Sequence, residues 1–202
     1  MTGHVSGRDP TGATPLTDDD IDGLIPTFIA TRADLNLAEQ ANIEAATMWA
    51  FGRRRVVTPD RLLTIEFCDR VHRRMFADVW RWAGQRRTRM TNIGVDPPQI
   101  TTQMKLLLDD ARYWHDHAIY EPSERAVRLH HRLVSVHPYR NGNGRQARFI
   151  ADLYLHVIAE PRLTWGASRH LDLESSTRRD YIVALQAADR GDYELLLDFA
   201  RG

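Results

Sequence analysis

The most informative stretch of this sequence runs from residue 137 to residue 148 and reads His137-Pro138-Tyr139-Arg140-Asn141-Gly142-Asn143-Gly144-Arg145-Gln146-Ala147-Arg148. The residues on both sides have the apolar spacing of helices, so the stretch is predicted to end one helix and open the next. The first backbone N–H groups of a helix lack intrahelical partners, and the helix dipole favours negative charge at that end. A glycine-containing turn at this place, followed by arginines, predicts a phosphate-binding site.

The residue types within the stretch suit transfer chemistry. His137 can act as a general base because its unperturbed pKa of about 6.5 lies close to neutral pH. The alternative is that it only ends the preceding helix. Gly142 and Gly144 let an anion approach the backbone without a Cβ in the way. Arg145 and Arg148 are one turn apart on the second helix, so both side chains can reach the same phosphate site. The Walker pattern of nucleotide-binding loops is absent.

Composition narrows the class of protein. The 202 residues fit one domain with a helical extension. Lys and Arg total 27 and Asp and Glu total 27, so no direct nucleic acid binding is predicted. Cys68 lies in an apolar helical pattern and is predicted to be a buried, inert thiol. The sequence contains neither an apolar stretch long enough to span a membrane nor the apolar run of a secretory signal. A cytoplasmic protein is therefore expected.

Periodicity along the chain predicts an all-α fold with a small β-hairpin flap. Residues 1–16 are expected to form a flexible arm, residues 17–58 a helical extension and residues 59–202 the main domain, which contains the central stretch. Predicted helices cover residues 36–51, 58–76, 100–117, 123–137, 193–199 and a stretch that starts at residue 175 or 176 and ends at residue 188. The helical period disappears between residues 85 and 97, where a hairpin or flap is predicted.

Several side chains outside the central stretch have simple structural interpretations. Phe76, Trp80 and Trp82 are predicted to be core aromatics rather than a ligand cage. The adjacent His130 and His131 point about 100° apart on a helix, so they are not expected to bind a metal. The arginine clusters at residues 53–55, 70–74 and 86–87 are interpreted as solvated helix faces and ends.

The central stretch resembles the pattern of the Fic/Doc family, which is His-Pro-Phe-x-Asp/Glu-Gly-Asn-Gly/Lys-Arg-x-x-Arg. Tyr139 stands where the family has Phe, and Asn141 stands where it has an acid. The resemblance extends over roughly residues 60–160. Residues 12–16 and 39–43, together with the loop, look most like the mobile mystery protein B subgroup. That resemblance implies a helix-turn-helix or antitoxin-like partner encoded nearby.

The resemblance implies a Fic-like helical bundle that transfers AMP from ATP to a Ser, Thr or Tyr hydroxyl of a target protein. His137 would take the proton from that hydroxyl, and Arg145 would also serve catalysis. The implied nucleotide-binding residues are Asn141, Gly142, Asn143, Gly144, Arg145 and Arg148. An extended target segment would align along the flap at Thr91, Asn92, Ile93 and Gly94.

Asn141 is the departure with chemical consequences. The family uses an acid there to hold Mg²⁺, and an amide offers only one neutral oxygen to a hard cation. The sequence therefore predicts weak ligation of Mg²⁺ or Mn²⁺ at Asn141 and reduced activity.

Glu39 has two interpretations. Many family members are inhibited by a helix whose Glu pairs with the second arginine of the motif, which is Arg148 here. Alternatively, Asn36 and Glu39 form a capping box at the start of a helix. The sequence leaves both open.

The leading hypothesis is a protein adenylyltransferase. One alternative is a different Fic chemistry, such as phosphate transfer, another nucleotidyl transfer or AMP removal. Another is a weakly active nucleotide-binding partner of a DNA-binding protein, which Asn141 favours. The target protein and the oligomeric state are not determined by the sequence.

Overall fold

The structure is a computed structural model that describes residues 15–52, 57–166 and 176–202. The predicted flexible arm, apart from residues 15 and 16, and the basic cluster at 53–55 lie outside the described residues. The described helices are α1 Asp18–Ile21, α2 Arg32–Phe51, α3 Pro59–Leu62, α4 Ile65–Phe76, α5 Ile100–Asp116, α6 Pro122–Val136, α7 Asn143–Val157, α8 Ser176–Ala188 and α9 Glu194–Arg201. The all-α prediction is confirmed. None of these helices combines the length and apolar character that crossing a membrane requires.

Helix α2 begins earlier than predicted, and this removes one interpretation of Glu39. Thr31 caps the helix by accepting a hydrogen bond from Asp34 N, and the Asp34 carboxylate bonds back to Thr31 N at 2.9 Å. This reciprocal arrangement is a capping box one turn before Asn36. The predicted start at residue 36 is wrong, and Glu39 lies within the helix rather than in its cap.

The helix predicted from residue 58 to residue 76 is broken into α3 and α4. Thr64 starts the second helix by accepting from Phe67 N at 3.2 Å, and its hydroxyl donates to Arg61 O at 3.1 Å. Arg112 donates to Leu63 O at 2.6 Å, which satisfies a carbonyl released by the break. Side chains distant in sequence therefore stabilise a break that periodicity alone does not show.

The core lies around the pair α6 and α7, which pack on each other. Helix α5 packs on α6, α2 packs on α4, and α8 pairs with α9. The predicted core positions of Phe76, Trp80, Trp82 and Cys68 are confirmed, since all four are buried. Helix α6 begins at Pro122, a residue suited to the first turn, so Ser123 is not its cap as predicted.

The predicted hairpin is not formed in the segment between α4 and α5. The described residues there contain no strand, only two isolated antiparallel bridges, of Trp80 with Leu24 and of Arg86 with Tyr139. Its carbonyls at Arg89 and Val95 accept hydrogen bonds from the side chain of Arg87 instead of from a paired strand. The flap is therefore an irregular loop, because a guanidinium replaces the ladder that would have made it a hairpin.

Candidate functional site

His137 lies at the C-terminal end of α6 in the left-handed conformation, with φ 52° and ψ 61°. Its Nδ1 donates to Val134 O at 3.2 Å, so the neutral ring carries its lone pair on Nε2. Burial lowers the pKa of His137 to about 4, the Val134 carbonyl opposes that shift, and the charge of Arg87 adds to it. The imidazole is thus neutral at physiological pH, which is the state a general base requires.

Arg87 joins the flap to His137, and sequence reasoning missed it. Its guanidinium donates to His137 O at 2.6 Å and to Arg89 O at 2.9 Å, and it also contacts the carbonyls of Val95 and Val136. The residue is only 2% exposed, so its interpretation as part of a solvated basic cluster is wrong. Charge pattern gave no signal, because a buried and an exposed arginine look alike in sequence.

The flap passes close to the imidazole at Gly94. This residue has φ 111°, and a Cβ placed on it would lie 2.6 Å from the Cβ of His137. Asn92 and Ile93 are exposed next to it, and the Thr91 hydroxyl donates to Ile93 O. The four residues assigned to target binding thus form a rim beside His137, and their target role stays a prediction.

The loop before α7 is built on Gly142 and Asn143. Gly142 caps the helix with φ 78°, and a Cβ there would lie 2.6 Å from the ring of Phe76. The Asn143 side chain accepts from Tyr139 N at 2.9 Å and donates to Tyr139 O at 2.8 Å. Both ends of this amide therefore hold the loop, and the backbone N–H of Asn143 at the helix start is a further donor for an anion.

Asn141 is held in place on both sides. Its Oδ1 accepts from Gly142 N at 2.6 Å, and its backbone oxygen accepts from His72 Nε2 at 3.0 Å. His72 Nδ1 in turn accepts from Gly84 N at 2.9 Å. Burial lowers the pKa of His72 to about 3, with the Asn141 carbonyl opposing that shift. Sequence reasoning missed this neutral histidine, whose only signal was its place in an apolar helical pattern.

The two arginines of the loop have different partners. Arg145 Nη1 lies 2.6 Å from Glu39 Oε2, and Glu39 Oε1 accepts from Trp80 Nε1 at 2.8 Å. The predicted pairing of Glu39 with Arg148 is therefore wrong. The guanidinium of Arg148 instead lies 5.5 Å from the ring centroid of Tyr181 on α8.

The donor set does not fit a Mg²⁺ ion held by the protein. Asn141 offers a neutral oxygen that already accepts from Gly142 N–H. Within residues 15–52, 57–166 and 176–202, no group of three or more His, Cys, Asp or Glu side chains could hold a metal. Hard cations favour several oxygen ligands with negative charge, which this loop does not supply.

Comparison with known proteins places this geometry in a family. The Fic/DOC family model matches residues 62–155, from the end of α3 to most of α7. Residues 62–155 are therefore a Fic/DOC domain match within this chain. The matched residues include His137, the flap and the loop before α7, whereas Glu39 and α8 lie outside them.

Curated relatives of the Fic/DOC domain are named adenylyltransferases. The chain is 32% identical over 116 residues to protein adenylyltransferase fic-1 of Caenorhabditis elegans, covering 54% of this chain and 21% of that protein. It is 32% identical over 99 residues to protein adenylyltransferase VbhT of Bartonella schoenbuchensis, covering 42% and 19%. The chain thus spans about a fifth of the length of each.

Solved structures share the helical arrangement. Fic-1 (residues 134–508) from C. elegans superposes with a TM-score of 0.64 at 25% identity, over 81% of this chain and 47% of that one. BepC from Bartonella tribocorum with bound AMPPNP gives a TM-score of 0.58 at 17% identity, over 84% and 85%. The second likeness concerns the fold alone.

Proposed function

We propose that this protein transfers AMP from ATP to a hydroxyl side chain of a target protein. The observation that carries the proposal is the neutral, buried His137, which is joined by one short loop to a helix start with two arginines. Attack on a phosphate requires a base close to an anion site. Here five residues separate His137 from the start of α7. The names of the fic-1 and VbhT relatives support the same activity.

In the proposed reaction the target hydroxyl oxygen attacks the α-phosphorus of ATP. The new oxygen–phosphorus bond forms as the bond to the bridging oxygen of the β-phosphate breaks, and pyrophosphate leaves. His137 Nε2 takes the proton of the hydroxyl. The N–H groups of Asn143 and Gly144, and that of Gly142 once Asn141 Oδ1 releases it, would stabilise the phosphate charge. The guanidinium groups of Arg145 and Arg148 would add to this stabilisation.

We propose that Glu39 inhibits the reaction, but through Arg145. The ion pair occupies the guanidinium that would otherwise bind phosphate. Trp80 holds the other carboxylate oxygen, so the side chain is fixed toward the arginine. Activation then requires that nucleotide, target or a partner displace Glu39, or that α2 move.

The target and partner assignments belong to the proposal. The exposed residues beside His137 would align an extended segment of a protein target, as main-chain pairing does in other peptide-binding domains. The resemblance of residues 12–16 and 39–43 to mobile mystery protein B supports a helix-turn-helix or antitoxin-like partner. A cytoplasmic location is consistent with ATP as donor and with a chain that has a single cysteine.

Asn141 favours a second candidate function. Its oxygen accepts a hydrogen bond within the loop and carries no charge, so Mg²⁺ or Mn²⁺ would depend on the nucleotide for most of its ligands. A protein that binds nucleotide but transfers slowly could act as a regulatory partner of a DNA-binding protein. Another Fic chemistry, such as phosphate transfer or AMP removal, remains a further alternative within the family.

The test uses the full chain with ATP, Mg²⁺ or Mn²⁺ and candidate target proteins, read by intact mass. A mass gain of one AMP on the target supports the proposal, and a gain of one phosphate supports phosphotransfer. His137→Ala is the control. An AMP mass gain on the target that persists with this variant would reject the role of His137 as base. Tight ATP binding without transfer would favour the regulatory alternative.

A further inference from the structure

Helix α8 lies outside the matched Fic/DOC residues, yet it places Tyr181 next to the start of α7. We call residues 138–144 the anion loop. Tyr181 is 8% exposed, and a Cβ placed on Gly144 would lie 3.9 Å from its hydroxyl oxygen. Gly144 is the second residue of α7, where backbone N–H groups have no intrahelical partner. The hydroxyl of Tyr181 therefore stands at the edge of the proposed phosphate site.

The ring of Tyr181 also contacts the second arginine of the loop. The guanidinium carbon of Arg148 lies 5.5 Å from the ring centroid, within the range of a cation–π interaction. Since Glu39 pairs with Arg145, the direction of the Arg148 side chain is set by α8 rather than by α2. The two arginines are thus held by different elements of the fold.

His130 forms a hydrogen bond with the hydroxyl of Tyr181. Its Nε2 lies 3.0 Å from the Tyr181 oxygen, and the histidine is fully buried. The ring of Trp165 packs on the imidazole with centroids 4.5 Å apart. Burial, together with the charge of Arg148, keeps the pKa of His130 well below its ordinary value. The imidazole is neutral and fixed, so it orients the hydroxyl without placing a second positive charge beside Arg148.

We propose that Tyr181 is a positioning residue that holds Arg148 at the anion loop, where it binds the outer phosphates of the nucleotide. This inference deepens the proposed function and rests on it. The ring limits the directions open to the guanidinium, and the hydroxyl, fixed by His130, adds a polar group at the start of α7. A nucleotide that lacks the outer phosphates would not depend on this arrangement.

The test compares three ligands in calorimetric titrations: ATP, AMP and inorganic tripolyphosphate. Tyr181→Phe removes the hydroxyl and keeps the ring, and Tyr181→Leu removes both. We expect binding of ATP and tripolyphosphate to weaken about threefold in the first variant and about tenfold or more in the second. AMP affinity should stay unchanged. Tyr113→Phe on the exposed face of α5 is the matched control, with no expected effect on any ligand.

A double-mutant cycle tests whether Tyr181 acts through Arg148. In an Arg148→Gln background, Tyr181→Leu should weaken tripolyphosphate binding no further, because the side chain it positions is gone. Additive losses would overturn the proposal. An equal loss for AMP and ATP, or wild-type affinities in a Tyr181→Leu variant that unfolds at the normal temperature, would also overturn it. If Tyr181→Leu fails to fold, the same readings are taken on Tyr181→Phe.

The same titrations separate this inference from the proposed function. If the wild type binds tripolyphosphate with the expected variant responses but transfers no AMP, the role of Tyr181 stands and adenylyl transfer fails. If the wild type binds neither ATP nor tripolyphosphate, both proposals fail.

Discussion

Glu39 Oε2 lies 2.6 Å from Nη1 of Arg145, and this contact joins the N-terminal helix α2 to the first turn of α7. Glu39 is buried, whereas Arg145 is partly exposed at the loop. A buried carboxylate that loses its partner carries an unpaired charge, so a phosphate must compete with a well-placed acceptor. The pair therefore couples the position of α2 to the charge that the site offers to a nucleotide.

Glu39→Gly should raise ATP-dependent modification by about tenfold or more, since a charge-assisted hydrogen bond of about 1.5–3 kcal/mol no longer competes for Arg145. AMP transfer measured by intact mass provides the check. The control is Glu44→Gly on the same helix, where an exposed carboxylate bonds only to Gln40. Both variants lower helix propensity by about 1 kcal/mol, and Glu39→Gly in addition removes the ion pair with Arg145 and the acceptor of Trp80 Nε1. Equal activity in the two variants and the wild type would rule out inhibition by Glu39.

Asn141→Asp should increase the dependence of ATP affinity on Mg²⁺. An aspartate keeps an oxygen for Gly142 N–H and adds negative charge that a hard cation favours. We expect an approximately tenfold gain in ATP affinity with Mg²⁺ and little change in EDTA, as measured by calorimetry. Asn143→Asp is not a suitable control, because it breaks the contacts to Tyr139. Asn92→Asp on the exposed flap is suitable, and a similar gain there would indicate a general charge effect.

The proposed AMP transfer should be insensitive to pH over the range in which a normal histidine titrates. Burial lowers the pKa of His137 to about 4, so the base stays unprotonated between pH 8 and about pH 5.5. AMP transfer should fall only as the pH approaches about 4, where the lone pair on Nε2 is lost. An acid limb centred near the ordinary histidine pKa of about 6.5 would contradict the buried environment of this ring.

The lowered pKa of His137 also makes the stability of the protein depend on pH. Between the unfolded pKa of about 6.5 and the folded pKa of about 4, His137 takes up a proton only on unfolding. Above pH 6.5 this proton uptake does not affect the free energy of unfolding. Below pH 6.5 it lowers the free energy of unfolding by roughly 1.4 kcal/mol per pH unit. Relative to the wild type, His137→Gln should become progressively more stable as the pH is lowered from 6.5 to 4.5, in urea denaturation. Parallel pH dependences of the two proteins would refute this.

Arg87→Lys should lower both stability and activity, although it keeps the charge. The planar guanidinium contacts four carbonyls from the flap and the end of α6, and a lysine cannot reproduce that fork. We expect a loss of about 2 kcal/mol in the free energy of unfolding, from leaving buried carbonyls without donors. The adjacent Arg86→Lys is the control, because the Arg86 side chain is partly exposed and contacts the side chains of Thr101 and Asp69. Comparable losses in both variants would mean that the buried contacts of Arg87 are not the cause, and no loss in either would mean that charge alone suffices.

Local sequence patterns anticipated much of the fold. The bounds of α5 and α8 follow from apolar spacing, and the loop before α7 follows from Pro138 and Gly142, which end and begin helices. The start of α2 was misplaced because Thr31 and Asp34 lie before the apolar period begins. The break at Thr64 was missed because the carbonyl it exposes is satisfied by Arg112, which is distant in sequence.

The sequence by itself determined the helical class and brought His137, the glycines and the two arginines together, because these residues are adjacent along the chain. Only the tertiary structure decided which arginine Glu39 holds, that Arg87 is buried beneath the flap, and that Tyr181 reaches the loop. Each of these contacts joins elements that are far apart in sequence. The physical reason is that a side chain's partner depends on how helices pack, and packing is not encoded in the spacing of any one segment.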